Sequence, residues 1–140
     1  MTSATETINR LHAALNAHDI EAFVACFAED YRSEQPVHPD RTFLGRDQVR
    51  KNWSAIFDSM PGLQAEQLRI CADGATAWIE WHWTALLENQ PPFDWRGTCL
   101  FGVEESRITW ARLYMEPVDQ SGRGIDATVE EMVGAEDRRA

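Results

Sequence analysis

The run Ser33-Glu34-Gln35-Pro36-Val37-His38-Pro39-Asp40-Arg41 gathers a carboxylate, an amide and an imidazole around its prolines. These groups suit cofactor-free proton transfer, with Glu34 or His38 as general base and Gln35 as hydrogen-bond donor. Prolines stiffen such a segment, and stiffened surface loops are frequent carriers of function. The same residues also suit a solvated connection with local contacts among His38, Asp40 and Arg41. A second pair, Glu80 and His82, stands two residues apart in an alternating stretch, so on a strand the two side chains share a face. Turned inward, the carboxylate would hold the imidazole in one tautomer as an acid–base pair. Turned outward, it joins a cross-strand charge network or a subunit contact.

Other chemistries find less to work with. His12, His18 and His38 have no ligand-like spacing to Glu80 and His82, so no metal site is expected. Cys26, Cys71 and Cys99 are an odd, widely spaced set without a C-x-x-C pair. They read as buried thiols in a reducing compartment, which points to the cytoplasm. Cys99 as a nucleophile lacks any sequence neighbour that would lower its pKa. There is no phosphate-binding glycine loop, Rossmann fingerprint or haem motif, and no cofactor is expected.

Residues 1–118 read as one domain that must position these groups, followed by an acidic tail over 119–140. A helix from Ala4 to Asn16 is predicted by Ile8, Leu11 and Leu15. Asp19 caps a second, where Ile20, Phe23, Val24 and Phe27 fall at i, i+3, i+4 and i+7. Tyr31 to Gln35 reads as a short strand. From Arg46, residues Val49, Trp53, Ile56, Phe57 and Met60 form an amphipathic stripe that Pro61-Gly62 stops. Period two then takes over: Leu63–Ala72, a turn at Asp73-Gly74, Ala75–Leu87, a break at Pro91-Pro92, Phe93–Val103, a turn at Glu105-Ser106, and Arg107–Val118. Helices followed by antiparallel strands predict an α+β fold with the helices on one face of the sheet. In the tail, Ile125 to Val133 suits one or two helical turns in an otherwise mobile segment.

The composition bounds the partners. A formal net charge of −10 in 140 residues argues against nucleic acid and against anionic membrane surfaces. No run approaches the length of a membrane span, and the N-terminus lacks the layout of a signal peptide. Six Trp and six Phe supply a large aromatic interior.

Three stretches in this order resemble the nuclear-transport-factor-2-like (SnoaL-like, ketosteroid-isomerase-like) superfamily. They are Ala13 to Asp30 as its opening helices, Gly45-Arg46-Asp47-Gln48-Val49-Arg50 as the start of its third helix, and Arg107 to Glu116 as its last strand. The likeness covers about residues 5–118. It implies a cone-shaped, strongly curved antiparallel sheet, with about three N-terminal helices packed on its concave face around an apolar pocket. It also implies a homodimer formed through the sheet. Known activities on this fold include ketosteroid isomerases, limonene epoxide hydrolases and polyketide cyclases beside non-catalytic binders, so the fold alone does not give the activity.

The family's catalytic positions are replaced here. The isomerase base matches Gln35, the oxyanion-hole tyrosine falls near Leu11, and the protonated aspartic acid falls near Cys99. The hydrolase arginine and aspartates match Trp81, Trp83 and Leu113. With Leu113 at the family's pocket position, alternation turns Ala111 and Met115 inward beside it. The same logic turns Ile79, Trp81 and Trp83 inward on the long strand, and Cys99 and Phe101 on its neighbour. Phe23, Phe27, Trp53, Phe57 and Met60 would close the cone, with Tyr31, Ser33 and Gln35 at its polar end. Such a lining suits a small apolar molecule, although aromatic stripes also make ordinary core. The expected function is therefore binding of a small apolar or aromatic metabolite. The alternatives are an isomerase-, cyclase- or hydrolase-type enzyme using the Glu34–His38 loop, and a dimeric interaction module.

Overall fold

The computed structural model describes residues 3–137. Helix α1 (Ala4–Ala17) begins where the Ser3 side chain accepts a hydrogen bond from the Glu6 N–H, and it ends at His18 in the left-handed region. Asp19 caps α2 (Ile20–Ala25) by accepting from the Ala22 N–H. Then follow β1 (Phe27–Glu34), a 3₁₀ turn at Pro39–Arg41, β2 (Phe43–Leu44), α3 (Arg46–Ser59), β3 (Gln64–Asp73), β4 (Thr76–Ala85), β5 (Phe93–Glu104), β6 (Arg107–Pro117) and α4 (Ile125–Asp137). No helix among the described residues is long and apolar enough to cross a membrane.

The six strands form one curved sheet in the order β2-β1-β6-β5-β4-β3. Strands β3 to β6 make an antiparallel meander. Its last hairpin turns on Glu105 and Ser106, both at positive φ, the combination that a type I′ turn needs. The expectation of an all-antiparallel sheet is corrected at one place: β1 runs parallel to β6. A hairpin turn forces its strands antiparallel, whereas β1 reaches β6 through α3 and four strands, which leaves its direction free. Phe27 is likewise the first residue of β1 rather than the last position of the second helical stripe, because α2 stops at Ala25. In the tail, α4 spans 13 residues, longer than the one or two turns expected. Its apolar Ile125, Val129, Met132 and Val133 are exposed.

Helix α1 packs across β3, β4 and β5, while α2 and α3 pack against β1. Ile8, Phe23, Ile79 and Ile108 are all but sealed between these layers, each contributing roughly 1.5–3 kcal/mol through burial. Strand β3 is a sheet edge, and edges leave backbone groups unpaired. At Ala65 side chains of α1 satisfy them. Asn16 accepts from the Ala65 N–H at 2.7 Å and donates to the Ala65 carbonyl at 3.0 Å. His12 Nε2 stands 2.8 Å from the same carbonyl, and His18 Nε2 stands 2.7 Å from that of Leu63. Ala65 pairs with Trp83 and Gln67 with Trp81, so this clasp also fixes the two tryptophans beneath α1.

Candidate functional site

Between the helices and the concave face lies a cavity with two compartments. The inner one, about 50 Å³, is lined by Leu11, Leu15 and Phe23 from the helices, and by Trp81, Cys99 and Phe101 from the sheet. The outer one, about 180 Å³, opens past Ser33, Gln35, Phe43, Asn52, Trp95 and Met115. Phe27, Tyr31, Trp53, Trp83 and Leu113 line both. Strand parity explains the membership. Trp81 and Trp83 on β4 face the same side as their partners Gly97 and Trp95 on β5, and Cys99 pairs onward with Leu113 on β6.

Aromatic edges and faces interlock around this space. Trp53 meets Trp83 edge-on with centroids 5.8 Å apart, and Phe23 tilts against Trp53 at 4.7 Å. Such pairs add roughly 0.5–1.5 kcal/mol beyond burial. The walls carry no charge near neutral pH. Burial pushes the Cys99 thiol up to about 12, and burial also pushes the Tyr31 phenol well above its ordinary value, only partly offset by Ser33. Both stay protonated because the low-polarity surroundings penalise their anions. Two donors in the wall have no partner: the indole nitrogens of Trp81 and Trp83 are buried and unpaired. Leaving a buried N–H unsatisfied costs on the order of 1–3 kcal/mol.

The SnoaL-like domain family matches residues 8–111. The chain belongs to that family. Comparison with curated proteins found no match. Among solved structures, an epoxide hydrolase from M. tuberculosis that is similar to limonene epoxide hydrolase shares 20% identity at a TM-score of 0.72, over 94% of this chain and 96% of that one. IdmH from Streptomyces antibioticus, a candidate polyketide cyclase, shares 18% identity at 0.70, over 82% and 93%. A ketosteroid-isomerase-like protein from Catenulispora acidiphila, solved with trimethylamine, shares 20% at 0.70, over 89% and 98%. At these identities the likeness establishes the fold, the cone-shaped α+β architecture of the ketosteroid-isomerase-like group.

The SnoaL-like frame sorts the sequence candidates. Phe27, Tyr31, Trp53, Trp81, Trp83, Cys99, Phe101, Leu113 and Met115 line the cavity, whereas Phe57 packs behind it, stacked on His18 at 4.6 Å and edge-on to Phe23. Of the acid–base candidates Glu34, Gln35 and His38, Gln35 alone lines the cavity, and its Oε1 accepts from Arg41 at 2.9 Å. Glu34 points to the opposite face, 2.9 Å from Arg32 and 3.9 Å from Arg112. His38 turns to Glu116 at 2.5 Å. Glu80 and His82 also face away from the cavity and do not pair with each other: Glu80 lies 3.9 Å from Arg69, and His82 contacts Asp94 at 2.7 Å.

Several lining residues were open to sequence reasoning and missed by it, Trp95 and Asn52 among them. Trp95 shares parity with Cys99 and Phe101. Asn52 sits three residues after Val49 and four before Ile56, on the same helical face, and its Oδ1 accepts from Gln48 at 2.8 Å. A larger groove of about 740 Å³ lies outside α1 and α2, lined by Ala13, Ala17, Ala22 and Ala25 beside Arg10 and Arg107. It is a broad surface depression with no unpaired buried polar group, and the interior cavity remains the candidate site.

Proposed function

We propose that this SnoaL-like protein binds a small, neutral, ring-shaped apolar metabolite in the interior cavity. The observation that carries the reading is a cavity walled by four tryptophans, Trp53, Trp81, Trp83 and Trp95, with uncharged walls and with polar Ser33, Gln35 and Asn52 in its outer compartment. Sites of this kind bind by burying apolar ligand surface and orient it with a few polar groups. The three cysteines are free, which suits a reducing compartment such as the cytoplasm.

The six tryptophans make the test self-controlled. With ¹⁵N-labelled indoles, titration with indane is expected to shift the signals of Trp53, Trp81, Trp83 and Trp95 saturably, and to leave Trp78 and Trp110 on the far face still. Leu113→Arg, which puts a charge into the wall shared by both compartments, abolishes those shifts while circular dichroism stays native. Signals that do not move, or shifts confined to Trp78 and Trp110, refute the reading. Turnover, should the site have any, would run through Gln35, the loop residue at the mouth, and Gln35→Ala would remove it.

A band on the convex face favours a second reading alongside the first, a homodimer through the sheet. Trp78, Leu100 and Trp110 are half-buried there, and Tyr114 is exposed. Sedimentation equilibrium is expected to give a dimer that Leu100→Arg dissociates, and a wild-type monomer at millimolar concentration contradicts it.

A further inference from the structure

Resting on that ligand reading, the unpaired donors specify more of the ligand. From the two orphaned indole nitrogens we infer that the ligand carries an uncharged acceptor oxygen, of the ketone, aldehyde or lactone type, received by the N–H groups of Trp81 and Trp83.

Both indole nitrogens are sealed from solvent without a hydrogen-bond partner, and both tryptophans belong to the wall of the inner compartment. Indole has a donor and no acceptor lone pair, so only an acceptor can satisfy it. Their aromatic neighbours offer ring contacts in place of an oxygen: Trp53 meets Trp83 at 5.8 Å and His12 meets Trp81 at 5.3 Å, both in T-shaped pairs. A ring face is a weaker acceptor than an oxygen. Ser33, Gln35 and Asn52 lie in the outer compartment, and the other polar side chains of the inner one are the protonated Tyr31 and Cys99. The inner compartment thus presents two unpaired indole donors and no charge; Gln67 Oε1 on β3, also buried without a partner, does not line it. A hydrocarbon would leave both donors unsatisfied, and a carboxylate would enter a site that holds no cation to balance it. A neutral carbonyl oxygen answers both constraints, with the apolar ring system directed along Phe27, Tyr31 and Leu113.

The test compares 1-indanone with indane, which has the same ring skeleton with a methylene in place of the carbonyl. Calorimetry is expected to show 1-indanone binding about tenfold more tightly, the effect of roughly one well-made hydrogen bond. The indole N–H signals of Trp81 and Trp83 shift with both compounds, and further downfield with 1-indanone than with indane. Trp83→Phe keeps an aromatic ring and removes one donor, so it is expected to lower 1-indanone affinity by a larger factor than indane affinity and so to narrow the gap between the two. Should that variant misfold, the carbonyl stretch of 1-indanone bound to the wild type decides: a frequency below that in hydrocarbon solvent supports the donor pair, and an unshifted one overturns it. Equal affinity for the two compounds, with equal indole shifts, overturns the inference and leaves the binding site standing. Failure of both compounds to bind overturns the ligand reading itself.

Discussion

Cys99 is the most direct chemical reporter of the cavity wall. It lies in β5 between Ile79 of β4 and Leu113 of β6, 1% exposed, and burial raises its pKa from the ordinary thiol value of 9.0 to about 12. The thiolate is the reacting species in alkylation. A rise of about three pH units lowers its thiolate fraction at pH 8 by about a thousandfold relative to an ordinary thiol, before limited access slows reagent further. Cys71 is exposed and Cys26 is buried. Iodoacetamide at pH 8, read by intact mass and peptide mapping, is therefore expected to label Cys71 quickly and to leave Cys99 unmodified. All three label once guanidinium unfolds the chain. With Cys71→Ser the folded protein should be nearly silent. Alkylation of Cys99 within about tenfold of the Cys71 rate, with native circular dichroism, would refute the description of a closed apolar wall.

Three more outcomes follow from the same geometry. Stability should fall as pH rises above 9: the unfolded Cys99 thiol then ionises while the folded one stays protonated up to about 12, so that group removes up to about 1.4 kcal/mol per pH unit. Chemical denaturation from pH 8 to 11 measures this, and Cys99→Val should flatten the slope. Gly97→Ala would set its Cβ 2.0 Å from the Tyr114 carbonyl oxygen, a backbone atom that cannot move aside alone, whereas a Cβ at Gly62 meets nothing within 4 Å. The first is expected to cost about 1–3 kcal/mol or more and the second to be near neutral, as read by urea midpoints. A chain ending at Val118 should keep its thermal midpoint and its indole spectrum, since the apolar side of α4 is exposed; a drop of more than about 5 °C, roughly 1 kcal/mol or more for a domain of this size, would assign α4 a structural role.

What could be read from the residues, and what could not, divides on physical lines. Period-two alternation turned Trp81, Trp83, Cys99 and Leu113 to one face because a strand leaves each side chain only two directions. The stripe of Val49, Trp53, Ile56 and Phe57 marked α3 for the corresponding reason at period 3.6. Strand direction leaves no such trace, which is why the parallel seating of β1 on β6 appears only in the folded chain. Strand β2 is two residues long, too short to show a period. Partners distant in sequence were equally hidden: His38 finds Glu116 from 78 residues away, and Asn16 finds Ala65 from 49 away. The orphaned indoles of Trp81 and Trp83 are a property of the packed interior, since a tryptophan in a sequence does not show what its N–H will meet.

The most direct test of the central claim is a crystal structure of the protein soaked with 1-indanone. The account predicts density for the ring system between Trp53, Trp83 and Leu113, with its oxygen within hydrogen-bonding reach of the Trp81 and Trp83 nitrogens. An interior closed over by its own side chains, with the compound absent or lodged on the convex face beside Trp78 and Trp110, would contradict it.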